Sequence, residues 1–328
     1  MLKVLLTQPE EKKLESLHHH YKKQYHLRDL LELHENDLIL TEYPEEATFI
    51  IFIGGINGEH NEYIKRNIIY KRFKKKCYII SDSGYGLKSV KGIYTSISKF
   101  EYNKSIHEPG WYFPINDLRE HAINNNIFKN EDITCTFRGD LKTHKVRQET
   151  HDLIKNGISK INKYKSTNTD GRQIKAWIDY DPSQILSLKN SFIQDILNSE
   201  FVLCPRGYNT SSMRIYEVMS LGRVPIIISD NWIRPIGPEW NEFSITIKEK
   251  EIYRLDEIVN KFKDRSAQMG KFARKEWENW FSLEVYAKHI LSNIRKLEQR
   301  KKCFWPKQYM QLFNLKYLNY FIKSYSLK

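Results

Sequence analysis

The sequence contains few cysteines and no long hydrophobic run. Its four cysteines are far apart and include no C-x-x-C pair, so neither a zinc site nor a disulfide framework is predicted, and reduced thiols in the cytosol are the simplest explanation. No window reaches the roughly 18 consecutive apolar residues of a membrane-spanning helix, and the apolar start at residues 1–9 is too short for the core of a signal peptide. We therefore expect a cytoplasmic protein, at most peripheral on the inner membrane leaflet.

Charged and apolar residues, by contrast, are abundant. The 328 residues include 53 Lys and Arg against 40 Asp and Glu, a formal net charge of +13, and 40% of them are hydrophobic. So apolar a chain is not disordered, and its length predicts two domains. A charge of +13 attracts anionic partners, namely nucleic acid, a phosphorylated substrate or an anionic membrane surface, and charge alone does not choose among them.

Short apolar runs alternate with helical patterns along most of the chain. They end in turn residues, as buried parallel strands do. Strands are predicted at residues 48–53, 77–80, 133–137, 175–178, 201–204 and 224–228, with helices between them. This alternation predicts an α/β fold with one domain at residues 1–128 and a second at residues 129–282.

The last segment, residues 283–328, begins with a helical pattern and ends in a basic, aromatic tail. Such a tail is suited to peripheral contact with an anionic bilayer, and the alternative is a terminal helix whose aromatic side chains pack on the first domain. The histidine run at residues 18–20 has no matched partner ligands, so a solvated helix or loop is expected there rather than a metal site.

The most informative stretch is residues 201–219, in which a buried strand is followed by a loop and a helix. Arg206 and Gly207 lie in the loop, and Ser211 or Ser212 suits the N-cap of the helix. Loop amides, a helix start and an arginine fork can hold a phosphate, and an acidic residue on the helix can accept both hydroxyls of a ribose. The alternative is a surface loop with an incidental pair between Arg214 and Glu217, which are three residues apart on one helix face.

This stretch closely resembles the exostosin-type glycosyltransferases, whose pattern here is C-P-R-G-Y-G-x-x-S-x-R-x-x-E-A. The motif residues of this sequence are Cys204, Pro205, Arg206, Gly207, Tyr208, Ser212, Arg214 and Glu217. Residues 221–232 resemble the family's A-G-C-I-P-V-I-I-S-D-D-W, and Phe137 with Gly139 resembles its F-x-G strand end. Asn209 replaces a glycine and Asn231 an acidic residue, which argues against a role that needs two carboxylates at residues 230 and 231.

The resemblance implies a GT-B fold, in which two Rossmann-like domains face each other across a cleft and C-terminal helices pack back on the N-terminal domain. It implies that the C-terminal domain binds a nucleotide-sugar, and that transfer inverts the anomeric centre without a metal or cofactor. The residues expected to bind the nucleotide-sugar are Arg138, Gly139, Arg206, Gly207, Ser211, Ser212, Arg214 and Glu217.

An inverting transfer also needs a general base, which should come from the N-terminal domain. Asp82, just beyond the strand at residues 77–80, is the first candidate, Glu108 the second and Asp117 the third, and each has the alternative of a solvated turn residue. Asp179 and Asp181 imitate a D-x-D metal motif, but Pro182 follows them, so turn and helix-capping roles are expected instead.

The sequence thus predicts an inverting glycosyltransferase that moves a sugar from a nucleoside-diphosphate sugar, with UDP as the expected nucleotide, to a hydroxyl of a glycan or lipid-linked glycan acceptor. Synthesis of a surface polysaccharide or glycan is the expected setting. One alternative is an inactive sugar- or nucleotide-binding homologue. A second is a basic nucleic-acid-binding protein, suggested by the clusters at residues 71–76 and 300–302, but no nucleic-acid-binding motif accompanies them and no such partner is expected.

Overall fold

A computed structural model describes residues 2–7, 38–54, 64–82, 88–112, 117–179 and 181–300. Within them the chain divides into two compact units. Unit 1 contains the described residues up to 112, together with Asn231–Ile236 and those from 283 onward. Unit 2 contains those from 117 to 230, together with Gly237–Ser282. The histidine run at residues 18–20 and the tail at residues 301–328 lie outside the described residues.

Unit 1 is built on a six-stranded sheet in which every pairing is parallel, with the order β2-β1-β3-β4-β5-β6. The strands are β1 Leu2–Thr7, β2 Leu38–Leu40, β3 Phe49–Gly54, β4 Cys77–Ser81, β5 Gly92–Tyr94 and β6 His107–Pro109. The helices described in this unit include α1 Ile68–Phe73, which continues into a 3-10 turn at Lys74–Lys76, and α10 Leu283–Gln299, which contacts β5 and β6. The expectation that a C-terminal helix packs on the first domain is therefore confirmed.

Unit 2 has a five-stranded parallel sheet with the order β11-β10-β9-β7-β8. The strands are β7 Ile133–Gly139, β8 Tyr164–Asn168, β9 Ser199–Pro205, β10 Val224–Ile228 and β11 Ile245–Ile247. The helices are α2 Leu118–Asn124, α3 Lys145–Lys155, α4 Arg172–Ile178, α5 Pro182–Leu197, α6 Arg214–Ser220, α7 Trp240–Phe243, α8 Leu255–Phe262 and α9 Ser266–Trp280. Shorter 3-10 turns lie at Leu141–Thr143, Glu249–Arg254 and Lys263–Arg265.

The apolar runs of the sequence form the centres of both sheets. In unit 1, Ile50, Phe52 and Ile79 are fully buried in one cluster, and in unit 2 Phe137 and Phe201 lie in another. Strands that are covered on both faces need such uninterrupted apolar sequences, which is why the runs predicted a parallel sheet. The predicted α/β class with two parallel-sheet units is confirmed.

The strand predicted at residues 175–178 is wrong, because that run belongs to α4. Helix α4 begins after Gly171, which has a positive φ of 72° that suits glycine. The strand in this part of the sheet is β8, whose five residues are all half-buried. It is an edge strand that pairs only with β7 among the described residues, so it carries the polar sequence YKSTN and shows no apolar run.

The division between the units differs from the boundary predicted at residue 128, because α2 belongs to unit 2. Asp117, the N-cap of α2, is bound by the Arg274 guanidinium, with Nη2 2.6 Å from Oδ2. His121 of the same helix forms a hydrogen bond with Asn190 of α5, with 2.9 Å between Nε2 and Oδ1. Polar side chains thus attach α2 to unit 2, and the sequence of this helix does not indicate to which domain it belongs.

Candidate functional site

The predicted nucleotide-sugar residues meet at one edge of the unit 2 sheet. The pairing of Gly139 with Asn168 and of Pro205 with Ile228 brings the carboxyl ends of four parallel strands to this edge. Gly139 ends β7 and Arg206 follows β9. In parallel α/β sheets, ligands bind beyond the carboxyl ends of the strands.

Arg206 supports the loop that follows β9. It is 8% exposed, and its guanidinium donates from Nε to the Gly207 carbonyl, at 3.2 Å, and from Nη2 to the Tyr208 carbonyl, at 3.1 Å. Its Nη1 lies 4.0 Å from Oε1 of Glu249. The arginine fork predicted for a phosphate is therefore turned onto the loop itself, because buried carbonyls need donors.

Arg147, at the start of α3, supports the same loop from the other side. Its Nε donates to the Arg206 carbonyl at 3.1 Å, and its Nη1 donates to the Asp140 carbonyl at 3.2 Å. A Cβ on Gly207 would lie 3.1 Å from Nη2 of Arg147. Gly207 thus leaves the space that lets Arg147 join the turn after β7 to the loop after β9.

A positively charged group forms around the start of α3. His144 caps the helix, since its Nδ1 accepts from the Val146 N–H at 3.3 Å. Burial lowers the pKa of His144 to about 4, and the nearby charges of Arg206, Lys145 and Arg147 lower it too. The imidazole is therefore neutral at pH 7 and surrounded by cations, which gives this part of the edge a positive potential.

Arg138 lies in a closed ion-pair network. Its Nε is 2.6 Å from Oδ2 of Asp195, and Nζ of Lys165 is 2.8 Å from Oδ1 of the same carboxylate. The Asp195 side chain is only 3% exposed. Since Asp195 occupies the Nε of Arg138, the predicted role of Arg138 as an anion ligand finds no support in this arrangement.

Arg214, at the start of α6, has unused donors. Its Nη2 donates to the Arg138 carbonyl, and its guanidinium lies over the rings of Phe137 and Phe192, at 5.1 and 5.9 Å from the centroids. Its Nε and Nη1 are buried and have no hydrogen-bond partner among the described residues. Buried N–H groups of a charged side chain are costly without an acceptor, so this geometry suits a ligand with acceptor atoms.

Gly139 makes this position of Arg214 possible. A Cβ on Gly139 would lie 2.9 Å from Nη2 of Arg214 and 3.2 Å from the tip of the Phe137 ring. The two motif glycines thus share a physical role, which is to leave room for a neighbouring arginine. The close approach of Arg214 is enough to explain why residue 139 is a glycine, without any contact between Gly139 and a ligand.

Glu217, one helical turn beyond Arg214, is half-buried. Burial raises the pKa of its carboxyl to about 7, against the opposing effect of the charges on Arg214 and Lys189. Within the described residues its carboxylate makes no hydrogen bond and no ion pair. Glu217 thus provides hydrogen-bond acceptors close to the donors of Arg214, and the two side chains do not bond to each other.

Ser211 and Ser212 are both buried, but neither caps α6. Met213 occupies the N-cap position and provides no side-chain hydrogen bond, so the predicted serine cap is wrong. Ser212 contributes its backbone carbonyl instead, which accepts from the Ile215 N–H at 3.2 Å. The loop is also bound to the sheet through Ser229, whose hydroxyl donates to the Thr210 carbonyl at 2.7 Å.

The profile of the Exostosin GT47 domain matches residues 99–262, half of the chain. The chain belongs to the exostosin GT47 family. The matched region contains all of the predicted nucleotide-sugar residues, whereas Asp82 lies outside it.

Similar curated proteins include an exostosin-1 homolog of Caenorhabditis elegans, 31% identical over 105 residues, which are 31% of this chain and 28% of that protein. A probable glucuronosyltransferase of Oryza sativa subsp. japonica is 26% identical over 95 residues, 27% of this chain and 22% of the relative. The alignments thus span about a quarter of the length of these relatives.

Similar solved structures include a glycosyltransferase from Rickettsia africae, with 11% identity and a TM-score of 0.47 over 92% of this chain and 99% of that one. Anabaena HepE in complex with UDP-glucose has 12% identity and a TM-score of 0.46 over 90% of this chain and 100% of that one.

The three carboxylates predicted as general bases have different surroundings in this GT47 chain. Asp82 directly follows β4, is buried, and lies near enough to Tyr286 that its charge adds to burial in raising the pKa of that tyrosine. Glu108 lies within β6 and is bound by Arg300, which also donates from Nη1 to the His107 carbonyl at 2.9 Å. Glu108 thus has a structural partner inside the strand, whereas its role as the general base stays a prediction.

Asp117, the third candidate, lies in unit 2 and caps α2 while it binds Arg274. Burial tends to raise its pKa, but the hydrogen bonds from Arg274 and from the Arg119 N–H outweigh this effect and hold the pKa below its ordinary value. A carboxylate stabilised in this way is a weak base, so Asp117 has a structural role.

The described residues contain no group of three or more His, Cys, Asp or Glu side chains that could hold a metal ion. Asp181 caps α5, since its Oδ1 accepts from the Gln184 N–H at 3.0 Å and from the Ser183 hydroxyl at 2.7 Å. The capping role predicted for Asp181 is therefore confirmed.

Sequence reasoning missed the contribution of α5 to the site. Lys189 and Phe192 are three residues apart, so they lie on one face of the helix, where Phe192 covers Arg214 and Lys189 acts on Glu217 through its charge. Burial lowers the pKa of Lys189. The lysine–phenylalanine spacing was visible in the sequence, but nothing there indicated that this face meets α6.

Proposed function

We propose that this chain is a glycosyltransferase that transfers a sugar, with inversion and without a metal, from a nucleoside-diphosphate sugar to a hydroxyl of a glycan or lipid-linked glycan. The observation that carries the proposal is the Arg214–Glu217 arrangement on one turn of α6, where buried guanidinium donors and a carboxylate have no bound partner among the residues that the structure describes. The match to the GT47 profile over residues 99–262 supports the reaction class.

Glu217 is suited to the ribose of the donor. A carboxylate accepts hydrogen bonds from two neighbouring hydroxyls, and a hydroxyl that donates to Glu217 can at the same time accept from Nε or Nη1 of Arg214. Both residues then acquire the partners that they lack within the described structure. This explains why the half-buried Arg214 and Glu217 are kept close without forming an ion pair.

The positive group around α3 is suited to the departing diphosphate. In a site without a metal, the negative charge that develops on the leaving group must be stabilised by fixed cations and amides. Arg206, Arg147 and Lys145 provide such cations, and the two arginines keep their positions because they are bonded to the loop and to the turn after β7. Arg206 then acts through its charge and through the loop that it supports.

In the transfer step, the acceptor oxygen forms a bond to the anomeric carbon while the bond from that carbon to the diphosphate oxygen breaks. The acceptor hydroxyl gives its proton to a base, and we assign this role to Asp82. Its position directly after a parallel strand, at the edge where ligands bind in α/β sheets, supports the assignment. Cytoplasmic synthesis of a surface glycan is the setting that we propose.

The first experiment is a thermal-shift panel with UDP, GDP, CMP and their sugars, each with and without EDTA. A nucleotide at a hundred times its Kd stabilises the folded protein by about 2.7 kcal/mol, which a melting curve resolves. We expect a shift with one diphosphate family, UDP first, that EDTA does not change. A shift that requires a divalent cation, or no shift with any nucleotide, would contradict the proposed donor site.

The base is tested separately with Asp82→Asn. We expect this variant to keep its thermal shift with the donor and to lose transfer to the acceptor, because only proton removal is affected. Normal turnover would exclude Asp82. The unmodified chain could instead bind the donor, yet neither hydrolyse it nor transfer its sugar to any glycan acceptor. In that case the inactive homologue becomes the better description.

A further inference from the structure

Residues 64–76 of unit 1 carry seven Lys and Arg and no Asp or Glu, against a net charge of +13 for the whole chain. Helix α1 and the 3-10 turn after it lie within this segment. The proposed glycosyltransferase reaction uses none of these residues. So dense a positive segment, without internal counter-charges, needs a physical explanation.

The inner side of α1 explains how the segment is held. Tyr70 is buried, Ile69 and Phe73 are half-buried, and all three pack on the core of unit 1. Lys76 is also used structurally, since its Nζ donates to the carbonyls of Glu45 and Ala47 at 3.0 and 2.7 Å. The outer side is thereby fixed in position and turned to solvent.

The outer side combines cations with an apolar side chain. Lys71, Arg72 and Lys75 lie three, four and seven residues after Ile68, so the four residues share one face, and Lys74 is exposed beside them. We name these five residues the basic face. Ile68 is 71% exposed, although it lies on a helix whose other apolar residues are buried or half-buried.

The cations of the basic face have few counter-charges. Arg72 forms an exposed pair with Glu45, with 3.4 Å between Nη1 and Oε1, and such a pair contributes little. The Arg72 guanidinium and the Lys76 ammonium lie over the Phe73 ring, at 5.1 and 4.9 Å from its centroid, so the ring holds both cations beside the helix. Among the described residues, no other ion pair reaches the basic face.

We propose that the basic face binds an anionic phospholipid surface, with Ile68 entering the interface between headgroups and acyl chains. Basic side chains attract anionic lipids, and an apolar side chain among them gains from insertion, which a dissolved polyanion does not offer. This combination favours a bilayer over nucleic acid. No helix in the described part of the chain has the length and hydropathy to cross a membrane.

The test measures co-sedimentation of the full chain with vesicles of phosphatidylcholine, alone or mixed with phosphatidylglycerol. We expect binding only to the mixed vesicles. The triple variant Lys71→Gln/Lys74→Gln/Lys75→Gln should bind them roughly 100-fold more weakly, since each cation near an anionic surface adds about 1 kcal/mol. Ile68→Ser should reduce binding about tenfold through the lost apolar burial.

The matched control is Lys250→Gln/Lys261→Gln/Lys271→Gln, which removes the same charge from exposed lysines of unit 2. It should bind the mixed vesicles as the unmodified chain does. An equal loss in the control would mean that net charge alone is responsible, and would overturn the proposal. Unchanged vesicle binding by Ile68→Ser, together with tight binding of a single-stranded oligonucleotide through the basic face, would favour nucleic acid and also overturn it.

Discussion

Two arginine–carboxylate arrangements lie close together in unit 2 and have opposite characters. Arg138 and Asp195 form a buried ion pair that Lys165 completes, so the carboxylate has a cation on each oxygen. Arg214 and Glu217 are also near each other, yet two guanidinium donors stay without an acceptor in the described structure and the carboxyl has a raised pKa. A closed network stabilises the fold, whereas an open one costs stability and has value only when a ligand completes it.

The strongest test of the closed network is Asp195→Asn. The change removes the buried carboxylate that neutralises Lys165 and the half-buried Arg138. Breaking a buried ion pair of this kind destabilises by about 3 kcal/mol, or roughly 5–10 °C in Tm. Thermal unfolding of the free protein measures the effect, and Asp264→Asn, at an exposed site, is the control. A loss of less than a degree would show that the Asp195 network is not structural.

The matching change in the open network, Glu217→Gln, should have the opposite effect on the free protein. Because burial raises the pKa of Glu217 to about 7, the ionised form is unfavourable in the folded state. This cost appears as the pH rises from the ordinary carboxyl pKa towards 7 and is complete above 7, so Gln should raise the Tm at pH 8 and change nothing at pH 4.

The same variant should weaken donor binding by about 10- to 100-fold, because hydrogen bonds to a charged group contribute about 1.5–3 kcal/mol. Titration of the donor at pH 8 measures this loss. A variant that is more stable and yet binds the donor about 10- to 100-fold more weakly, as expected above from about 1.5–3 kcal/mol, would identify Glu217 as a binding residue. If donor affinity stays unchanged, the ribose assignment is wrong.

Donor binding should also depend on pH near neutrality. As the pH falls through about 7, Glu217 takes up a proton and loses acceptor capacity, so the affinity should decrease by up to tenfold per pH unit below that value. His144 cannot produce this change, since its pKa of about 4 keeps it neutral throughout the range. In Glu217→Gln the dependence should vanish, and a dependence that persists would point to another group.

Much of the fold, and the placement of Arg214 and Glu217, could be predicted from the sequence. The apolar runs predicted the central strands of both sheets, and the spacing of Arg214 and Glu217 placed them on one helix face. Edge strand β8 was missed because its side chains are half-exposed and its sequence is polar. The strand–helix error at residues 175–178 has the same origin, since a short apolar run does not distinguish the two structures.

The roles of the arginines could not be predicted in this way. The same motif contains Arg206, which is bonded to its own loop, and Arg214, which has two donors without an acceptor among the described residues. Only the folded backbone determines which carbonyls each arginine reaches. The partner of Arg138 is Asp195, 57 residues along the chain on α5. Long-range partners of this kind leave no local pattern, so Lys189 and Phe192 were missed as well.

The smallest expected effect comes from Gly139→Ala, which probes how the open network keeps its geometry. The added methyl group would lie 2.9 Å from Nη2 of Arg214, so the guanidinium must move away from the Arg138 carbonyl. Because the moving atoms are the end of a flexible side chain, the fold should persist, and donor affinity should fall by a factor of about 3–10, the equivalent of one hydrogen bond.

A double-mutant cycle with Arg214→Lys separates this cause from a general disturbance of β7. Lysine has no guanidinium to meet the methyl group, so Gly139→Ala should have little further effect on donor binding in the Lys variant, and the two changes should be non-additive. Additive losses would mean that Gly139 acts independently of Arg214, for example through direct approach of the ligand to the β7 backbone. Gly139 would then belong to the binding surface, and its assigned role of leaving room for Arg214 would be wrong.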